Sequence, residues 1–212
     1  MHIVHPQHVW SHSTVCRGRC ATRRLQAASG RVTRAAGRES SVPSITEHDL
    51  SILRETASLS TSSAGLTQPH PNSACILVGP DGRRLASTYQ RAAGAVSSEV
   101  QALRAVREGA RGGVAYLNLE SGDCHGDGAA VRALVDLGVS RVVVGLEHPL
   151  PHARGVAVRA LRSAGIDVDV LSSSTPCAAE PTDVDDTIMQ MLEANEALLH
   201  RAVLRRPLSI LK

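Results

Sequence analysis

The chain has 212 residues, 42% of them hydrophobic, which is material for one domain of ordinary size. Aromatic residues make up 1% and Phe is absent, so the core must be filled by Val, Leu, Ile and Ala; this favours an α/β sandwich of short aliphatic strands and excludes base stacking on exposed rings. Seven Arg and no acid lie in residues 1–38, so the net charge of +3 belongs to the leader, and the acidic remainder, whose only lysine is Lys212, offers no groove for a nucleic-acid backbone.

Five cysteines, two in the leader and three scattered through the body, make no disulfide framework. No apolar run reaches the roughly 18 residues that a bilayer crossing needs, so no membrane partner is expected. Residues 1–43 read as a transit peptide or disordered leader: Arg23, Arg24, Arg31 and Arg34 stand among Ser, Thr and Ala without acids, the composition of an organelle-targeting segment. Cys16 and Cys20 lack partners at metal-ligand spacing.

From Ser44 the pattern changes. Ser44-Ile45-Thr46-Glu47 reads as a capping box, followed by a helix with Leu50, Leu53 and Ala57 on one stripe. A loop punctuated by Pro69 and Pro71 leads into an aliphatic strand at residues 74–78, and Pro80-Asp81-Gly82 turns the chain into a second strand at 84–89, making a hairpin. Residues 97–109 carry Val100, Leu103 and Val106 at helical spacing, and an aliphatic strand follows at 114–119. After the polar segment 120–128 come a helix with Val131, Leu134, Val135 and Leu137, the strand 142–145, a helix with Val156, Val158 and Leu161, and the strand 166–171. This alternation predicts parallel strands between helical layers. A serine-rich linker then precedes an amphipathic helix that starts near Asp183 or Asp185 and gathers Ile188, Met191, Leu192 and Leu198. Residues 206–212 read as the first half of a strand, and the end as a truncation.

A hairpin followed by three helix–strand pairs is the order of the cytidine-deaminase fold, and particular residues match one family. Pro69-His70-Pro71 with Ala74-Cys75-Ile76, then Ser97-Ser98-Glu99-Val100, then Leu119-Glu120-Ser121-Gly122 resemble four segments of the riboflavin-biosynthesis deaminase/reductase family. These are its Pro-Asn-Pro loop, its Gly-Cys-Val strand end, its His-Ala-Glu-Val helix start and its Leu-Glu-Pro-Cys loop. The similarity runs over residues 46–212, and the stretches 120–127 and His148-Pro149-Leu150 resemble the plant and algal PyrR-like subgroup, whose deaminase domain is degenerate. The resemblance implies a cytidine-deaminase-like three-layer α/β/α sandwich with a mixed sheet. It divides the chain into the leader 1–43, a deaminase-like domain 44–172, a helical linker 173–204 and the start of a reductase domain at 205–212, with a chloroplast (stromal) location.

In that family, zinc is held by one His and two Cys beside a proton-shuttling Glu. The resemblance places Ser97, Gly122 and Val131 at the three ligand positions and keeps Glu99 at the fourth. A hydroxyl is a poor zinc ligand, and Gly and Val offer no ligand atom, so the tetrahedral set cannot assemble and bound water cannot be acidified toward neutrality. Zinc is therefore expected to be absent, and NADPH belongs only to the reductase domain. Glu99 also has a plainer reading, as an acid charging the first turn of its helix, which is the one favoured here. His70 stands where the family has an Asn near the substrate pyrimidine; filling the vacated pocket is its equal alternative.

The leading expectation is a catalytically inactive scaffold for a 5-amino-6-(5-phosphoribosylamino)uracil reductase domain. Two rivals remain: an active pyrimidine deaminase with a metal rearranged onto Cys124, His125, His148 or His152, and a module that binds a pyrimidine. A homo-oligomer is left open.

Overall fold

The computed structural model describes residues 45–106, 108–122, 128–172 and 180–204, all of which belong to one unit, Ser40–Lys212. The first part of the expected 173–204 linker, residues 173–179, and the expected reductase start at 205–212 lie outside the described residues, as does the leader.

The first helix, α1 (Glu47–Ser60), does begin with a capping box, but two residues later than expected. Thr46 Oγ1 accepts from the Asp49 N–H at 3.1 Å and Asp49 Oδ2 accepts from the Thr46 N–H at 2.9 Å. Tertiary contacts decide the register: Asp49 is also the acceptor for Tyr116 and Arg141, so the acid that caps must be the one that reaches the sheet.

Five strands follow: β1 (Ala74–Val78), β2 (Arg84–Tyr89), β3 (Val114–Leu119), β4 (Arg141–Leu146) and β5 (Asp167–Val170). They lie in the order β2-β1-β3-β4-β5, with β1 antiparallel to both of its neighbours and β3, β4 and β5 parallel. The hairpin supplies the antiparallel part and the helical crossovers the parallel part, as the mixed sheet requires.

Alternation along the strands sorts two cores. Cys75, Leu77, Leu117, Val142 and Val144 face one cluster with Ala102 of α2 (Ser98–Ala105), Leu134 of α3 (Ala129–Leu137) and Leu161 of α4 (Val156–Ser163). Ile76, Val78, Tyr116 and Val143 face the other, with Leu50 and Leu53 of α1 and Val184 and Met191 of α5 (Pro181–Ala194). The result is three layers, helices over both faces of one sheet.

Two expected helices change extent. The helix expected over 97–109 ends at Ala105, where Val106 is already extended. The last expected helix starts at Pro181 and breaks at Asn195 before α6 (Glu196–Leu204). Asn195 is buried and turned to other partners, with Oδ1 accepting from the Asn72 N–H at 2.9 Å and Nδ2 donating to the Met191 carbonyl at 3.2 Å; such side-chain bonding competes with helix continuation. Among the described residues no helix is long and apolar enough to cross a membrane.

Candidate functional site

The N-terminus of α2, the loop after β3 and the start of α3 meet at a cavity of about 210 Å³. Ser97, Glu99, Ser121, Gly122 and Ala130 all line it. Ser97 is the N-cap of α2, its Oγ accepting from the Val100 N–H at 3.5 Å. Glu99 sits in the first helical turn, yet its side chain turns inward and is 2% exposed. Ser98 Oγ donates to Glu99 Oε2 at 3.1 Å, and Ser121 Oγ donates to Glu99 Oε1. The helix-start role therefore does not account for where this carboxylate goes: it is held at the cavity by two hydroxyls. Beneath it lies Cys75, fully buried, whose thiol is pushed up by burial first and by the nearby Glu99 charge second, so it stays protonated and unreactive.

Val131, at the third ligand position, lies outside this lining; it borders a second cavity of about 440 Å³ together with Gly122 and Ala130, beside Arg132, His152 and Val156. His70 is likewise outside the lining, half-buried, with Pro71 and Ser73 reaching the cavity instead. Asn72 pins this loop: its Nδ2 donates to the Ala194 carbonyl at 2.6 Å and its Oδ1 accepts from Thr67 Oγ1 at 2.6 Å.

Glu120, from the Leu119-Glu120-Ser121-Gly122 segment, and His148, one of the alternative metal ligands, organise the rim. Glu120, 1% exposed, accepts from the His148 N–H at 3.1 Å, the Gly155 N–H at 2.7 Å and the Val158 N–H at 3.2 Å. It thereby caps α4, whose own N-cap, Gly155, has no side chain to do so. The signal was a helix start without a capping residue. His148 is 3% exposed, and its Nδ1 accepts from the Leu150 N–H at 3.2 Å. Burial pushes its imidazole down, against the upward pull of Glu120. A Cβ on Gly122 would stand 2.5 Å from His148 Nε2.

Among the described residues, those at the three ligand positions, Ser97, Gly122 and Val131, offer one hydroxyl between them, whereas a tetrahedral zinc site needs three or four nitrogen, sulfur or oxygen ligands. Among the described residues no group of three His, Cys, Asp or Glu is placed to hold a metal ion. Of the alternative ligands, Cys124 and His125 lie outside the described residues, His148 is buried, and His152 is exposed.

No protein-family model matches the chain. The riboflavin-biosynthesis protein PYRR, chloroplastic, of Arabidopsis thaliana is 46% identical over 164 residues, covering 77% of this chain and 27% of the relative. The solved RibD of Acinetobacter baumannii superposes with a TM-score of 0.61 at 27% identity, over 73% of this chain and 40% of that one. The deaminase/reductase of Thermotoga maritima superposes with a TM-score of 0.62 at 23% identity, over 75% of this chain and 42% of that one, a likeness of fold alone. The chain spans about a quarter of the length of its plant relative. Its fold is the cytidine-deaminase-like α/β sandwich, and the chain belongs, through that deaminase-like domain, to the riboflavin-biosynthesis family of PYRR and RibD.

Proposed function

We propose that this domain is a catalytically silent deaminase-like domain that serves as a scaffold for a reductase domain acting on 5-amino-6-(5-phosphoribosylamino)uracil with NADPH. One observation carries the reading: among the described residues, those at the ligand positions offer a single hydroxyl, too few donors for a zinc site. Without a metal-acidified water, a carboxylate already engaged by two hydroxyls has no nucleophile to activate. The purified chain should contain less than stoichiometric zinc by elemental analysis, chelation should leave its Tm unchanged, and pyrimidine deamination should stay at background. Stoichiometric zinc that disappears in Cys124→Ser would favour a rearranged deaminase and end the scaffold reading. The scaffold role itself is checked by adding the domain to a separately produced reductase domain, which should gain thermal stability.

The persistence of a cavity lined by Ser73, Gln90, Ser97 and Glu99 favours a second reading, a pyrimidine-binding module. Calorimetric titration with a phosphoribosylaminopyrimidine, with Glu99→Gln as control, separates the two; a flat trace removes it. A plastid (stromal) location is supported by the chloroplastic naming of the plant relative and by the acid-free, Arg-rich residues 1–38. Residues 1–43 fused to a fluorescent protein should carry it into plastids.

A further inference from the structure

We infer that His148 now occupies the room of the missing side chain at position 122 and locks the former ligand place shut. The inference rests on the silent-deaminase reading and deepens it. Gly122 is not among the positive-φ glycines, so its backbone would accept any L-residue. What excludes a side chain is space: a Cβ there would lie 2.5 Å from His148 Nε2 and 2.9 Å from Cδ2, well inside van der Waals contact.

Relief by swinging the imidazole aside is costly, because the ring is held at Nδ1 and the residue's backbone at its amide. Its Nδ1 accepts from the Leu150 N–H, and the residue's own N–H ends on Glu120, which also holds Gly155 and Val158 at the start of α4. With 3% of its surface exposed, His148 has no open solvent to move into. The small residue at 122 and the ring at 148 therefore form one unit: each is tolerated because of the other. Returning a thiol to position 122 is then not enough to rebuild a metal site; His148 must be cut back as well.

A thermal double-mutant cycle in the full 212-residue chain tests the coupling without any metal. Gly122→Ala should lower Tm by several degrees when residue 148 is His, and leave it unchanged or raise it in a His148→Ala background. Equal losses in the two backgrounds overturn the inference. Cobalt(II) titration gives the second reading, using Ser97→His/Gly122→Cys/Ala130→Cys with and without His148→Ala. Thiolate-to-cobalt charge-transfer bands should develop with at least about tenfold tighter binding in the fourfold variant, a difference of about 1.4 kcal/mol. Equal uptake by the two variants also overturns it. Zinc held by the unaltered chain would sink the silent-deaminase reading and leave the Gly122–His148 coupling intact, so the two failures are distinguishable.

Discussion

Three backbone N–H groups end on the carboxylate of Glu120, and none of them has a helical partner to fall back on. Glu120→Ala should cost about 3 kcal/mol in urea unfolding, because buried donors would be left unsatisfied. Glu120→Gln, which keeps one carbonyl oxygen, should lose about half of that. At this scale the sequence was only partly legible. Ser97, Glu99 and Gly122 line one cavity. Val131 borders only the second cavity, which it shares with Gly122, and motif spacing along the loop does not disclose how the two cavities divide. His70, which the resemblance puts near the pyrimidine, does not line the cavity, and its loop is tied to the Ala194 carbonyl through Asn72. Nothing local to Glu120 or His148 announces that they bond each other's loops, since that link spans 28 positions of sequence.

Elements were more legible than residues, for periodicity and breakers are local signals. The five strands and the helices between them fall where alternation and aliphatic runs place them. Two of the departures, the start of α1 and the break before α6, share one cause, long-range side-chain partners. Asp49 sets the start of α1 because it accepts from Tyr116 Oη at 2.8 Å and from Arg141 at 3.0 Å. Arg141 in turn donates to Asp169 on β5 at 2.6 Å, so one guanidinium ties α1, β4 and β5 together. Arg141→Ala would strand two buried carboxylates and should cost about 3–5 kcal/mol by denaturant titration. Arg141→Lys should recover little of it, since an ammonium cannot serve both carboxylates with a planar fork. The division of the last helix at Asn195 has the same origin, a side chain that bonds Asn72 from across the domain.

For the whole molecule, the layered architecture follows from strands that are aliphatic on both faces, and the sequence shows this plainly. How closely the layers approach is less visible. At Gly145 of β4 an added Cβ would meet Met191 Sδ at 2.1 Å and the Asn118 carbonyl at 2.8 Å, so α5 seats directly on the sheet there. Gly145→Ala should cost roughly 1–3 kcal/mol through overpacking and make α5 the first segment opened by limited proteolysis. The bond between Tyr116 and Asp49 reaches further, since it limits the domain at both extremes of acidity. Burial alone would raise the Asp49 carboxyl, but the Thr46 N–H, the Tyr116 and Thr46 hydroxyls and the Arg141 charge outweigh it and hold it below its ordinary 3.8. As pH falls past that value the unfolded chain takes up the proton first, so stability drains away in acid, and Asp49→Asn should flatten this slope. Burial and the same Asp49 push the Tyr116 phenol well above its ordinary 10.0. In strong base the unfolded chain gives up that proton first, and the fold weakens again; Tyr116→Phe should extend the alkaline limit while blunting the acid one. A single phenol–carboxylate pair thus works as a two-ended titration gauge for the docking of the first helix.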